Sequence, residues 1–287
     1  MLETRNLRLG LPKGRMYDAV VTLLADAGVH VGAAERRYRP DISLPGIEAK
    51  LLKPQNIVEM LHFGFRDIGF AGADWVAELQ ADVMEILDTG LDPVRLVAAA
   101  PGEMLVDGEL PPGPLVVASE YERLTQDWIK DCGLDATFVR SYGATEVFPP
   151  EDADCIVDNT ATGATLRDNG LAVIDELMES STRLYAHPAV LDDPERRPLV
   201  DNLELLLRSV LEARKRVLLE LNVGAEDLDA VLAVLPSMKA PTVAPLNGSG
   251  FAVRAAVPRT ELPGIIADVK GRGGTDLLVS TPGQIVP

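Results

Sequence analysis

The alternation of short apolar runs with helical segments constrains the fold of this chain more than any other feature. Residues 7–11 predict a strand, and a helix follows over residues 16–27 with Gly28 as its stop. Residues 67–71 predict another strand, and Asp74 is expected to cap the helix after it. Further strands are predicted at residues 84–87, 94–99, 115–118, 136–139 and 182–186, and further helices at 54–63, 120–131 and 201–215. This order indicates an α/β architecture with a mainly parallel sheet.

Two changes in the pattern predict domain boundaries. Residues 101–114 are rich in Pro and Gly, which is typical of a crossing between lobes. From Arg216 the order becomes strand, helix, strand, strand, helix, strand, the order of a ferredoxin-like module. We therefore expect a first lobe at residues 1–100 with a return segment at 180–213, a second lobe at 101–179, and a C-terminal domain at 214–287.

Composition and charge exclude several classes of protein. With 287 residues and 47% hydrophobic content, the chain can bury cores in two or three domains. Its net charge of −17 argues against nonspecific nucleic-acid binding. No apolar run is as long as a membrane span, and the first residues lack a signal-peptide pattern. Cys132 and Cys155 have no metal-ligand spacing, so we expect reduced thiols in a cytoplasmic protein that binds neither nucleic acid nor membrane.

The segment around Asp158 carries the strongest chemical signal. A short apolar strand, residues 155–157, ends at Asp158, whose carboxylate could accept hydrogen bonds from sugar hydroxyls. A loop of small and hydroxyl residues follows and opens into a helix near Ala164, whose free N–H groups would face an anion. Gly163 permits the tight turn. The residues expected to hold a phosphate are Thr160, Ala161, Thr162, Gly163, Ala164 and Thr165.

The alternative for this segment is an ordinary strand-to-helix turn with Thr162 or Thr165 as the N-cap. An apolar strand that ends in an acid and runs directly into the loop favours a phosphate-binding loop over an ordinary turn. The arrangement resembles the phosphoribosyl-pyrophosphate loop of phosphoribosyltransferases. Many of those enzymes have two adjacent acids at the strand end, whereas the second position here is Asn159.

Segments along nearly the whole chain resemble the long form of ATP phosphoribosyltransferase. They are residues 9–15 (LGLPKGR), 67–74 (DIGFAGAD), 88–90 (DTG), 95–97 (RLV), 156–171, 180–184 (SSTRL) and 241–246 (PTVAPL). Each segment is weak evidence alone, but their order and spacing together are specific. The resemblance implies two lobes shaped like periplasmic binding proteins, followed by a ferredoxin-like regulatory domain.

The resemblance also implies a reaction. N1 of ATP would be joined to 5-phosphoribosyl 1-pyrophosphate to give N1-(5-phosphoribosyl)-ATP and pyrophosphate, the first step of histidine biosynthesis. This is a glycosyltransferase reaction with Mg²⁺ as the implied cofactor and histidine as the implied feedback inhibitor. The protein would be a homo-oligomer, either a dimer or a hexamer. The alternative is a non-catalytic two-lobed protein that binds a small molecule or an amino acid.

The chemistry of this reaction suggests roles for residues outside the loop. Lys13, Gly14 and Arg15 follow the first strand and are candidates to bind ATP or pyrophosphate; the alternative is a solvated turn. Asp74 and Glu146 are weaker candidates for the same role, and Asp74 could be only a helix cap. We assign no general base, because N1 already carries its lone pair, and the magnesium ligands are not identified.

The C-terminal domain is expected to bind histidine. Asn222 ends its first strand, and Thr242 and Leu246 lie on its second strand and the turn after it. These residues would offer an amide, a hydroxyl and free backbone groups to an amino acid. The alternative is a module that only holds an oligomer together.

Overall fold

The computed structural model describes residues 6–32, 38–238 and 240–286. It divides into two compact units. The first contains residues up to Thr22 and Val29–Asp201, and the second contains Leu23–Gly28 and Asn202–Pro287. Within the described residues, no helix is long and apolar enough to cross a membrane.

The first unit is built on one eight-stranded mixed sheet. The strands occur in the order β2-β1-β3-β8-β4-β7-β5-β6. Their bounds are β1 Leu7–Pro12, β2 Ile47–Leu52, β3 Ile68–Gly72, β4 Met84–Pro101, β5 Leu115–Ser119, β6 Ala136–Arg140, β7 Cys155–Thr160 and β8 Leu171–Ala186. The α/β class is therefore confirmed, but the sheet is less parallel than predicted.

Two parallel halves of this sheet are joined by two long antiparallel strands. β1 pairs in parallel with β2 and β3, and β5 pairs in parallel with β6 and β7. Between these halves, β4 and β8 pair antiparallel with each other, β8 with β3, and β4 with β7. Both chain connections between the halves are therefore strands of the sheet itself.

The prediction of separate strands at residues 84–87 and 94–99 is wrong, because β4 is continuous. The intervening DTGLDP segment reads as a turn, and Gly90 and Asp92 do adopt positive φ angles of 63° and 46°. The chain nevertheless keeps its pairing with β8 by shifting register between Asp88 and Val94. β8 likewise begins at Leu171, well before the predicted strand at residues 182–186.

The helices of the described residues are α1 Met16–Asp26, α2 Pro54–His62, α3 Ala73–Leu79, α4 Glu122–Asp131, α5 Ala164–Asp168, α6 Pro188–Leu191, α7 Arg197–Lys215, α8 Leu228–Leu232 and α9 Leu262–Gly271. In the first unit, Trp128 of α4 and Leu166 of α5 pack in two different buried clusters of the large sheet. Along β4, Leu96 and Ala98 pack in one buried cluster, and Val97 and Ala99 pack in another. A strand buried on both faces is apolar throughout rather than alternating.

The second unit contains a four-stranded antiparallel sheet in the order β10-β11-β9-β12. Its strands are β9 Arg216–Val223, β10 Thr242–Pro245, β11 Phe251–Pro258 and β12 Thr275–Ser280. With α8 and α9 this is the predicted β-α-β-β-α-β order. Buried residues alternate along β9, from Val217 to Val223, and pack with Val231 of α8 and Ile265 and Val269 of α9.

Candidate active site

A cavity of about 350 Å³ lies at the carboxyl ends of strands in the first unit. This is where α/β sheets usually place their ligands. Its walls come from segments far apart in the chain, namely Lys13 and Arg15 after β1, Asp74 and Trp75 after β3, Glu120 after β5, and Asn159 near the end of β7.

Two further cavities adjoin the first. One, of about 420 Å³, shares Ser180 and Ser181 with it and includes Ala161 of the predicted phosphate loop. The other, of about 380 Å³, shares Gln55 and Trp75. Each cavity alone is within the size range of a small-molecule site, so the three adjoining cavities together have room for more than one such ligand.

Asp158 occupies an unfavourable position for a negative charge. It is half-buried near the end of β7, and its carboxylate accepts a hydrogen bond from the N–H of Asn159 at 2.7 Å. Burial is the main cause that raises the pKa of Asp158, and the charges of Glu146 and Glu120 add to it. The hydrogen bond from the N–H of Asn159 and the charge of Arg15 lower the pKa, and the net result is a pKa of about 6. Such a perturbed carboxylate beside a cavity is typical of a functional site.

The loop after Asp158 is held by its own threonines. Thr160 accepts a hydrogen bond from the N–H of Gly163 at 3.0 Å, and Thr162 accepts one from the N–H of Ala164 at 3.3 Å. The N-cap of α5 is Gly163, with φ of 72°, so the alternative that Thr162 or Thr165 is the cap is wrong. Ala161, Thr162, Ala164 and Thr165 are exposed, which leaves the outer side of the loop open to a ligand.

Lys13 and Arg15 differ in what they already contact. The Lys13 ammonium lies 3.5 Å from the centre of the Tyr38 ring, a cation–π contact. Gly14, with φ of 77°, turns the chain into α1 and accepts a hydrogen bond from the N–H of Tyr17. Arg15 is exposed and makes no hydrogen bond or ion pair with any residue that the structure describes, although its charge acts on Asp158.

Asp74 is not the N-cap that the sequence predicts. The N-cap of α3 is Gly72, and Asp74 is only 5% exposed. Its Oδ1 accepts a hydrogen bond from Ser180 at 2.8 Å, and its Oδ2 accepts one from the hydroxyl of Tyr121 at 2.6 Å. Both oxygens therefore already have donors before any substrate is present.

Glu146 lies on a short 3₁₀ turn, Thr145–Val147, and is half-buried. It does not line the 350 Å³ cavity, but its charge acts on Asp158. The described residues contain no group of three or more His, Cys, Asp or Glu side chains that could hold a metal ion.

Sequence reasoning missed Gln55 and Trp75 of the cavity wall, and Tyr121, which is buried behind Trp75. Tyr121 stacks on Trp75 with ring centres 4.6 Å apart and reaches Asp74 and Asn159. The side-chain oxygen of Gln55 is buried and accepts no hydrogen bond within the described residues. The position of Tyr121, just after a strand in an α/β lobe, was the available signal, whereas nothing local in the sequence singles out Gln55.

The candidate histidine-binding residues do not come together in the second unit. β11 lies between β9, which carries Asn222, and β10, which carries Thr242. The Asn222 amide donates to Asp276 of β12 at 3.0 Å, on the side away from β10. Leu246 closes the turn after β10 by donating its N–H to the carbonyl of Gly250.

The sequence comparisons decide the family. Residues 53–209 match the family model described as "HisG: ATP phosphoribosyltransferase", and residues 213–281 match "HisG, C-terminal domain". An ATP phosphoribosyltransferase of Pelotomaculum thermopropionicum is 36% identical over 98% of this chain and 99% of its own length. The chain belongs to the ATP phosphoribosyltransferase family. A second member, from Pelodictyon phaeoclathratiforme, is 34% identical over 93% of each chain.

A solved structure agrees with this assignment. The ATP phosphoribosyl transferase (HisG:HisZ) complex from Thermotoga maritima contains a chain that is 26% identical, with a TM-score of 0.62. The match covers 70% of this chain and 98% of that chain. The C-terminal domain recognised at residues 213–281 makes this chain a long-form ATP phosphoribosyltransferase, as its resemblance to that family implies. The activity expected of the family, phosphoribosyl transfer to ATP in histidine biosynthesis, is likewise supported.

Proposed function

We propose that the connected cavities of the first unit hold ATP and phosphoribosyl pyrophosphate during the transfer reaction. The observation that carries this proposal is the lining of two adjoining cavities. Asn159, which directly follows Asp158, lines one of them together with Lys13 and Arg15, and Ala161 of the loop lines the other. The residues 1–100 and 101–179 would form the two lobes around the substrates, with 180–213 returning to the first lobe and 214–287 forming the regulatory domain.

Each part of the site has a role in the displacement. Asp158 accepts hydrogen bonds from the ribose hydroxyls, and the loop of Thr160, Ala161, Thr162, Gly163, Ala164 and Thr165 holds the 5′-phosphate. Lys13, Gly14 and Arg15 face the ATP phosphates or pyrophosphate, while Asp74 and Glu146 line or flank that region. Holding both substrates in attacking geometry is a large part of catalysis for such a reaction.

The bonds balance without a protein base. The lone pair of N1 forms a bond to the anomeric carbon, and the bond from that carbon to the pyrophosphate oxygen breaks, with its electron pair leaving on pyrophosphate. Positive charge develops on the ribose ring, and the ionised carboxylate of Asp158 would stabilise that charge. Mg²⁺ usually takes one or two carboxylates together with substrate phosphates, so Asp158 and Glu146 would hold it, and it would supply positive charge to neutralise the leaving group.

A direct assay tests the reaction. The protein is incubated with ATP, phosphoribosyl pyrophosphate and magnesium, and phosphoribosyl-ATP and pyrophosphate are measured by chromatography. Omission of either substrate or of magnesium should abolish both products. Binding of the substrates without any product would favour the non-catalytic binding protein instead.

The raised pKa of Asp158 predicts a pH profile. Acceptance of ribose hydroxyls requires the ionised carboxylate, so kcat/KM for phosphoribosyl pyrophosphate should fall as the pH is lowered through about 6. Asp158→Asn should remove this acidic limb and lower kcat/KM above about pH 7. Glu120→Gln removes a charge that raises the pKa of Asp158, so its limb should move to lower pH. An unchanged profile in both variants would contradict the assignment.

The same shift predicts the effect of Asp158 on stability. The folded protein favours the protonated form, so this contribution to stability is present at low pH and is lost as the pH rises through about 6. Asp158→Asn should therefore raise the free energy of unfolding by about 1–3 kcal/mol at neutral pH and by less in acid. Chemical denaturation at the two pH values measures this.

We propose that the C-terminal domain binds histidine and that this binding lowers the transferase activity. If Asn222 contributes, Asn222→Ala should raise the histidine concentration for half inhibition about tenfold, with kcat unchanged, because one or two hydrogen bonds are lost. Asp268→Ala, an exposed change on α9 of the same unit, is the control. Inhibition and calorimetric binding are measured on the full chain. A wild-type protein that shows neither at millimolar histidine would favour a domain that only holds an oligomer together.

The proposed function also implies an oligomeric state and a cellular compartment for the protein. β10 and β12 are the edges of the sheet in the second unit and are largely exposed, so they could pair with a second copy in a homo-oligomer, a dimer or a hexamer. Light scattering with and without histidine measures this. Cys132 and Cys155 are both free, in keeping with a cytoplasmic protein.

A further inference from the structure

The hydroxyl of Tyr121 joins two parts of the candidate active site. Tyr121 is 1% exposed, and its hydroxyl donates a hydrogen bond to Oδ2 of Asp74 at 2.6 Å. The hydroxyl oxygen of Tyr121 also accepts a hydrogen bond from the side-chain amide of Asn159 at 2.9 Å. Asp74 is in the first turn of α3, and Asn159 directly follows Asp158 on β7. One phenol therefore connects the α3 wall of the cavity to the strand that carries the proposed ribose-binding carboxylate.

Tyr121 is held in place by two helices that cap each other. The carboxylate of Glu78, near the end of α3, accepts hydrogen bonds from the N–H groups of Arg123 and Leu124, both at 3.0 Å. The Arg123 side chain in turn donates to the last carbonyls of α3, those of Ala77 and Glu78. The first N–H groups and the last carbonyls of a helix have no partner within that helix. Here α3 accepts from the first N–H groups of α4, and α4 donates to the last carbonyls of α3. The first turn of α4, which Tyr121 precedes, is thereby fixed to α3.

The hydrogen bonds around Tyr121 depend on a single proton. Burial, and then the charge of Asp74, raise the pKa of Tyr121, so the hydroxyl keeps its proton and donates it to Asp74. An ionised carboxylate only accepts hydrogen bonds, whereas an amide also donates. Asn159 can therefore donate to the phenol oxygen while Asp74 receives the proton. A second carboxylate at position 159 would compete with Asp74 for that proton.

We propose that Tyr121 is a positioning residue for the transfer reaction, which holds Asn159 and the Asp158 end of β7 at a fixed place relative to Asp74. This inference rests on the proposed assignment of Asp158 and its loop to phosphoribosyl pyrophosphate. It assigns Asp74 to the support of Tyr121 rather than to substrate contact, because Ser180 and Tyr121 already occupy both of its oxygens.

The first test removes only the hydroxyl. Tyr121→Phe keeps the ring that stacks on Trp75 but leaves Asp74 and Asn159 without their shared partner. We expect KM for phosphoribosyl pyrophosphate to rise about tenfold or more, with a smaller change in kcat. Tyr185→Phe is the matched control, because Tyr185 is also buried (3% exposed) and its hydroxyl has no hydrogen-bond partner among the described residues. Kinetics of Tyr121→Phe equal to those of the control would overturn the proposal.

The second test exchanges the charged and neutral partners. Asn159→Asp alone places two carboxylates against one phenolic proton, and kcat/KM should fall about tenfold or more. Adding Asp74→Asn restores one carboxylate and one amide in reversed positions, and the new amide oxygen can still accept from Ser180. The double variant should recover most of the loss, which a purely structural defect would not do. A double variant no better than Asn159→Asp would overturn the proposal, whereas a wild-type protein that makes no product would refute the proposed function first.

Discussion

Replacement of Gly163 by valine is expected to abolish turnover while the fold is retained. Gly163 has φ of 72°, a conformation that is costly for a β-branched residue. A Cβ there would lie 3.0 Å from the Arg167 guanidinium, which donates to the carbonyl of Thr162. The turn that holds the Thr160 and Thr162 hydrogen bonds should therefore open, and the 5′-phosphate should lose its aligned donors. We expect kcat/KM for phosphoribosyl pyrophosphate to fall by at least about a hundredfold, or about 2.7 kcal/mol.

Gly133 supplies a control for the strain itself. It follows α4 with φ of 65° and is exposed, and a Cβ at this position would meet no described atom within 4 Å. Gly133→Val should lower the melting temperature by a similar amount without changing the kinetics. If both variants lost activity in parallel with stability, the loop would have no special role, and normal turnover by Gly163→Val would remove the phosphate assignment.

Replacement of Asp67 by alanine is expected to cause the largest loss of stability. Asp67 is 3% exposed, and its carboxylate accepts hydrogen bonds from the backbone and side chain of Arg8 at 2.7–2.9 Å and from Arg196 at 2.8 Å. Its removal leaves Arg8 and Arg196 without their shared acceptor, and because both guanidiniums are partly exposed we expect a cost of about 3 kcal/mol, the lower end for a buried pair. Asp201→Ala, which breaks an exposed pair with Arg197 on α7, should cost about 0.5 kcal/mol.

The pH dependence of stability provides a second measurement on Asp67. Burial alone would raise the pKa of its carboxyl, but hydrogen bonds and charge from Arg8 and Arg196 lower it overall. A lowered pKa contributes stability above the unfolded value, and this is lost as the pH falls below about 4. Urea denaturation at neutral and acidic pH should show that the difference between Asp67→Ala and wild type shrinks in acid. An equal difference at both pH values would show that the charge of Asp67 is not the cause.

The sequence was informative where function and local structure depend on the same few residues. The strand that carries Asp158 and the turn at Gly163 are both visible locally, because an apolar run, an acid and a glycine occur in order. The predicted end of that strand at Asp158 is wrong, because pairing with β4 continues it to Thr160. The module from Arg216 was also predictable, since alternating burial along β9 is a period of two in the sequence.

What the sequence did not reveal depends on partners distant in the chain. Asp74 looked like a helix cap because its position suits one, but Ser180 and Tyr121 take its oxygens instead. Two separate strands were predicted at residues 84–87 and 94–99, whereas pairing with the long strand β8 keeps the segment between them within one strand. In both cases, contacts between residues about 50 to 100 positions apart determine the structure instead of local propensity. A short-range sequence pattern carries no information about such contacts.

The two-strand connection between the halves of the large sheet has a mechanical consequence. A change in the width of the cavity cannot be taken up by one or two freely rotating bonds, because β4 and β8 hold each other by a ladder of hydrogen bonds. It would have to change the twist of β4 and β8 together, since paired strands twist as one ribbon. The register shifts between Asp88 and Val94 interrupt that ladder, so the two strands are expected to bend and twist most easily there. Any change in the distance between the two halves of the first unit would therefore involve both long strands at once.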